Sequence, residues 1–392
     1  MSKAPKDSRF KTATVIYVFL VGCVCLHFYR RPDWNMDMIG YMGNALMTNH
    51  TPIERAHKLV YAEIRNLPDR GGDALLGLSA SADPTQDASR RARAEHVGNF
   101  AEFLPCFAIR PAYNQILFLA SLVFGLTRAA ILLAVVPYFA LSLVVFRWAS
   151  RYVDTAFAAT FSLLLMLTPP IASIGRTPIS DALSTLVAVS ALYLIFEIKR
   201  DVVGVILLLA TILVRSDNVV LVVPVLIALW LLRRLPFWQM TVLGVLSAGC
   251  VLFINRMAGD YGLAMLYYRN FVGTPIAPAE MVVHFSLADY QRAFRQNITV
   301  ASQGWPIPFL LLAAIGYFRR SRLSILCGIA LVYIALHFLI LPNWVERWFV
   351  VAYIPMALSA VCVEDMLHKT VFHGIQESIG RVSTLRAGGR ER

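Results

Sequence analysis

The feature that most limits this chain is a series of about ten apolar runs, most of them close to the length that crosses a bilayer. They are Thr12–Tyr29, Arg128–Phe146, Asp154–Leu167, Leu183–Phe196, Val202–Val214, Val219–Leu232, Phe237–Ile254, Trp305–Tyr317, Leu323–Leu341 and Trp348–Val363. A hydrocarbon core of roughly 30 Å takes about 20 apolar residues per helix. Of the 392 residues 58% are hydrophobic and only 15% are charged, whereas a soluble globular chain is about one-quarter charged. That balance excludes a water-soluble enzyme, a disordered protein and a nucleic-acid-binding domain with a solvated surface. The sequence predicts an all-α polytopic membrane protein with about ten transmembrane helices.

The net charge of +12 sorts by side. Lys3, Lys6, Arg9 and Lys11 precede the first run, which ends in His27-Phe28-Tyr29-Arg30-Arg31 without a small-x-small cleavage site. It therefore reads as an uncleaved anchor. With the amino end inside, the inward turns carry Arg147 and Arg151, Lys199 and Arg200, Arg233 and Arg234, then Arg319, Arg320 and Arg322, followed by a basic tail. This is the positive-inside pattern, so the charge reports topology rather than nucleic acid. Both termini are expected in the cytoplasm of a bacterial inner membrane, with residues 1–364 forming the membrane domain and 365–392 a basic cytoplasmic tail. The six cysteines form no CxxC pair and read as small hydrophobes in the spans.

Two long segments, 30–127 and 255–304, fall outside. Met36–Met47 is expected to lie along the membrane surface as an interfacial helix. Gly71–Arg93, rich in Gly, Ala, Ser, Asp and Arg, reads as a flexible solvated excursion. Phe100–Gly125 reads as a half-buried helix rather than a further span, because a crossing there would invert every later basic turn. The runs do not divide into two similar halves, which weighs against a transporter, since many transporter folds carry internal repeats.

Charges beside spans are costly and are functional candidates by default. They gather at four outer corners: Asp33–Tyr41, Arg176–Asp181, Arg215–Asn218 and Asn343–Arg347. Each has a plain structural reading. Asp33, Asn35 or Asp37 suits a cap on the following helix, as Ser180 and Asp181 do, Arg215 with Asp217 suits an ion pair, and Arg347 an interfacial anchor. The third corner says more. The arms on either side of it, Val202–Val214 and Val219–Leu232, reach only about 20 Å at 1.5 Å per residue, short of the hydrocarbon thickness. Arg215 and Asp217 are thus expected below the outer membrane surface, in a recess lined by protein or water.

In order, Asp37-x-x-x-Tyr41, Arg110-Pro111-x-Tyr113, Arg176-x-Pro178-x-x-Asp181-Ala182-Leu183 and Glu346-Arg347-Trp348-Phe349…Tyr353-x-Pro355 resemble the motifs of the GT-C superfamily of polyprenyl-phosphate-sugar-dependent glycosyltransferases. That group includes the protein O-mannosyltransferases and the lipid A aminoarabinose transferases. The likeness covers roughly 12–360, and it departs at Met38, where family members often carry Glu.

The resemblance implies a GT-C-like fold and inverting transfer of a sugar from a polyprenyl-phosphate carrier to a hydroxyl of a glycan, lipid or protein outside the membrane. It makes Asp37 the base and Asp181 a second acid that orients the acceptor or, with Asp37, holds a divalent cation such as Mg or Mn. Arg347 and Arg215 would bind the carrier phosphate, with Tyr41, Arg110, Tyr113, Arg176 and Asp217 as further substrate-binding residues. The rival readings are a transporter or flippase of a lipid-linked substrate, and a non-catalytic scaffold that keeps the fold.

Overall fold

The computed structural model describes residues 4–68, 71–79, 84–260, 268, 286–319, 321 and 323–361. Among them all regular structure is helical. The chain opens with α1 (Ala4–Arg30). The first long loop then builds α2 (Asp37–Thr48), α3 (Ile53–Arg65), α4 (Gly71–Leu75), α5 (Pro84–Glu95), α6 (Val97–Phe103), α7 (Pro105–Ala108) and α8 (Pro111–Phe124). Next come α9 (Leu126–Ala149), α10 (Thr155–Met166), α11 (Pro169–Arg176) and α12 (Asp181–Leu192), which a π-helical turn continues to Ile198. They are followed by α13 (Asp201–Val214), α14 (Val219–Leu231) and α15 (Phe237–Met257). After the second long loop stand α16 (Leu287–Gln303), α17 (Pro306–Phe318), α18 (Ser324–Ile340) and α19 (Val350–Val361). The tail 365–392 and most of 255–285 lie outside the described residues.

Each apolar run is helical as far as it is described, and among the described residues length and composition single out fewer than ten helices as able to cross alone. Four helices are long and apolar enough to cross alone: Lys11–Arg30, Leu126–Ala149, Asp181–Ile198 and Phe237–Met257. The number rises to seven if three bent pairs each count as one span, at breaks of 114° between α6–α7 and α8, 72° between α10 and α11, and 67° between α16 and α17. Proline explains where the chain breaks. Pro111, Pro169 and Pro306 each open the second helix of a bent pair, where a missing N–H costs nothing. α13, α18 and the turn-plus-helix Ser216–Leu231 are apolar but short.

The first long loop departs most from expectation. α2 is no surface helix: Met38, Ile39, Tyr41, Met42 and Ala45 are buried at 2% exposure or less. It is the centre of a second core that takes in α3, α6, α7, α8 and the near ends of α9 and α13. Gly40 and Gly43 make the fit close, since a Cβ there would lie 2.2 Å from the Phe107 ring and 2.5 Å from Leu104. Asn44 Nδ2 ties the contact by donating to Leu104 O at 2.8 Å. An amphipathic face cannot tell lipid from protein, and here protein covers it. The described part of Gly71–Arg93 is also structured rather than solvated. Asp87, Ser89 and Arg93 of α5 are buried, and Arg93 lies over the Phe103 ring at 4.3 Å while bonding Ser89.

The larger core joins α1, α9, α10, α12–α14 and α17–α19. Polar groups segregate to its two ends. At one end Arg151 pairs with Glu197 at 2.8 Å and Arg234 pairs with Asp201, which draws three of the basic turns together. At the other end, where α12 begins, the four polar corners meet.

Candidate active site

α2 and α12 each present an aspartate in their first turn. The Asp37 amide donates to Asn35 Oδ1 at 2.8 Å, so Asn35 takes the capping role and the Asp37 carboxylate turns to Arg347. Neither Ser180 nor Asp181 caps α12. The Ser180 side chain makes no cap bond and lies 3.2 Å from Tyr41 Oη, while Asp181 is gripped from two sides. Arg215 Nη1 donates to its Oδ1 at 2.5 Å, and Arg347 Nε stands 2.9 Å from its Oδ2. The second approach is an ion pair without hydrogen-bond alignment, so both Arg347 Nε and Asp181 Oδ2 keep unused bonding capacity. Arg347 Nη2 also donates to Asp37 Oδ2 at 3.3 Å.

Arg215 continues the series. Its Nε donates to both oxygens of Asp217 at 2.8 and 3.0 Å, and Asp217 Oδ2 is 3.3 Å from His337 Nε2. Groups of alternating character therefore run unbroken from His337 on α18 through Asp217, Arg215, Asp181 and Arg347 to Asp37 on α2. Burying a charge without a partner is strongly unfavourable, and both Arg215 and Asp181 are nearly inaccessible, with side chains 6% and 4% exposed. Each is tolerated because the other is there. Aromatic rings wall the series: Trp348 lies 5.7 Å from the Arg215 guanidinium, and Phe349 lies 5.3 Å from the His337 ring.

On the other flank Arg110, at the start of α8, donates to Tyr41 Oη and lies 5.1 Å above the Tyr41 ring. Burial pushes the Tyr41 phenol up to about 12, with Arg110 opposing the rise and Asp37 and Asp181 adding to it. Tyr41 thus stays neutral, within hydrogen-bond reach of Ser180 Oγ. Tyr113 meets Tyr41 edge-on at 4.8 Å, and its buried hydroxyl has no partner; nor does Arg110 Nε.

Of the nine residues singled out from the sequence, eight belong to this one cluster: Asp37, Tyr41, Arg110, Tyr113, Asp181, Arg215, Asp217 and Arg347. Arg176 does not. It stands at the rim, paired with Asp33 at 2.7 Å, and both side chains are exposed. His337 is a member that sequence reasoning passed over, while Ser180 entered it only as a cap and Trp348 only as part of a motif. His337 had a signal, an ionisable side chain inside an apolar run. Glu346, next to Arg347, faces away and accepts from Tyr353 Oη at 2.7 Å and from the Trp305 amide at 3.1 Å.

Asp37 and Asp181 do not fit a divalent cation. The Arg347 guanidinium already stands between them, and among the described residues no group of three His, Cys, Asp or Glu side chains is placed to hold a metal. Mg²⁺ asks for six oxygen ligands in near-octahedral order. No protein-family model, curated protein or solved structure matches this chain.

Proposed function

We propose that the protein is a membrane glycosyltransferase of the GT-C type, which moves a sugar from a polyprenyl-phosphate carrier to an acceptor hydroxyl outside the membrane. The observation that carries this reading is convergence. Aspartates from α2 and α12 meet on one arginine from the approach to α19, with three buried donors beside them, Arg110 Nε, Tyr113 Oη and Arg347 Nε, that have no hydrogen-bond partner among the described residues. A buried polar group left unpaired costs about 1–3 kcal/mol. An anionic ligand that accepts from these donors removes that cost.

The chemistry is a single displacement at the anomeric carbon. The acceptor oxygen bonds to that carbon as the bond to the phosphate oxygen breaks, the electron pair leaves with the lipid phosphate, and the configuration inverts. Lipid phosphate is a good leaving group and needs no general acid. Asp37 takes the acceptor proton. Arg347 and Arg110 meet the charge that develops on the phosphate, where a planar fork matches two oxygens. Arg215, whose Nε and Nη1 are committed to Asp217 and Asp181, holds Asp181, which in turn holds Arg347. Met38 is fully buried at 0% exposure, which suits a site with one carboxylate at this corner rather than two.

The polar corners face outward in this reading and the basic turns face the cytoplasm, with both termini inside. Segregation of the two sets of ion pairs to opposite ends of α12 supports it. The test is reconstitution in liposomes with a panel of radiolabelled polyprenyl-phosphate sugars. Label leaving the carrier in the parent protein but not in Asp37→Asn is the expected result. Label that crosses the bilayer still attached to its carrier would instead mark a flippase.

A further inference from the structure

Outside the acid–arginine cluster, a groove of about 540 Å³ opens where α1 ends and α9 begins. Both helices are of membrane-crossing length, so the groove lies at the depth where hydrocarbon gives way to headgroups. Arg30, in the last turn of α1, and Arg128, in the first turn of α9, both line it, beside Trp34 and Phe124. Among the described residues neither arginine has an ion-pair partner. The one carboxylate in the lining, Glu63, already accepts from the Thr127 hydroxyl at 2.6 Å. Two guanidinium groups sharing a groove repel each other unless an anion lies between them, and guanidinium forks suit phosphate oxygens.

The apolar half of the ligand is written on α8. Ile116, Leu119, Leu122 and Val123 recur at helical spacing and are exposed, Val123 by 75%. The stripe ends at Phe124, which enters the groove. A free phosphate would use the arginines and leave this stripe bare; a phosphate carried on a long apolar chain uses both.

We propose that the groove between α1, α3, α8 and α9 binds the phosphate headgroup of an anionic membrane lipid, with its chain lying along α8. Trp34 continues from this groove into a second one shared with Asn35, Met36 and Arg90, so the lipid rests against the segment that leads into Asp37. The site needs the membrane but no part of the transferase chemistry.

The probe is phosphatidic acid brominated in its upper acyl chain, doped into phosphatidylcholine nanodiscs that hold the full chain. Tryptophan quenching is read in the parent and in Trp34→Phe, so that the difference isolates Trp34. Brominated phosphatidic acid is expected to quench Trp34 while equally brominated phosphatidylcholine does not. Arg30→Gln and Arg128→Gln should each weaken the effect roughly tenfold, the usual loss for one charge-assisted bond. Both side chains are exposed, so helix content and melting temperature should stay those of the parent. Equal quenching by the two lipids would overturn the proposal, as would undiminished quenching in the double variant. Displacement of the lipid by inorganic phosphate at matching concentration would reassign the groove to a free anion and overturn it equally.

Discussion

Arg347 holds two carboxylates at once, Asp37 at 3.3 Å and Asp181 at 2.9 Å, and this double hold sets what single substitutions should do. Asp37→Asn keeps the size and a hydrogen-bonding oxygen but removes the proposed base. Turnover should fall about a hundredfold or more while lipid-donor binding persists, and near-normal transfer would make Asp37 a structural partner of Arg347 only. Arg347→Lys keeps the charge and loses the fork, so the apparent KM for the donor should rise, and Arg347→Ala should raise it further; a donor KM unchanged in both would move the phosphate elsewhere. His337 acts at a distance, through Asp217 and Arg215. His337→Phe preserves the aromatic contacts with Phe349 and Trp348 but deletes the bond to Asp217, so kcat should drop with the donor KM little changed. Recovery in His337→Gln would tie the loss to that bond, whereas full activity in His337→Phe would leave the histidine a packing residue. The corner residues were legible because charge beside an apolar run is costly wherever it is found. Their partners were not. Whether Asp181 caps its own helix or meets Arg215 depends on where α13 ends in space, and nothing local to Ser180-Asp181 encodes that.

At the scale of elements, the acid–arginine cluster depends on how closely α2 seats on its neighbours. Gly40 faces the Phe107 ring so closely that a Cβ would sit 2.2 Å from it, with backbone pinned by the Asn44 bond to Leu104. Gly40→Val should therefore cost about 1–3 kcal/mol, the usual range for overpacking. It should also lower turnover, because α2 moves off α7 and carries Asp37 and Tyr41 with it. A thermal melt and a turnover measurement on the same preparation check this, and a melt equal to the parent's would mean that α7 yields without strain. Helices themselves were easy to read, since each apolar run kept its place to within a few residues. The breaks were harder. Pro111 and Pro169 are visible in the sequence, but a proline that opens a new helix and one that sits within a continuous helix look alike there, as Pro137 inside α9 shows. The burial of α2 was illegible for a different reason. Its apolar stripe fits a bilayer surface as well as it fits α3, α7 and α8, and the choice is made by segments distant in the chain that fold over it.

The described residues are polarised, and in the proposed function that polarity sets the side of the membrane on which the chemistry runs. α12 and the π-helical turn that continues it carry both poles, with Asp181 in the acid–arginine cluster at the start of α12 and Glu197 paired with Arg151 in the π-helical turn. The basic turns at the second pole keep an excess of cations even after pairing: among the described residues Arg147, Lys199, Arg200 and Arg233 have no acidic partner there, while Arg151 and Arg234 do. An excess of Lys and Arg in short turns favours the cytoplasmic side, and in the proposed topology the cluster then faces outside. Two single-cysteine variants test the arrangement, each built after the native cysteines are replaced by serine or alanine. Leu232→Cys lies in an exposed turn at the basic pole, and Asn49→Cys in an exposed turn after α2. In right-side-out vesicles an impermeant maleimide should label the cysteine at position 49 at once, and the one at 232 only after the membrane is opened. The reverse pattern would put Asp37, Asp181 and Arg347 on the cytoplasmic face. Soluble nucleotide-activated donors are at hand there, and a carrier that brings its sugar on a lipid phosphate would have no reason to be the substrate.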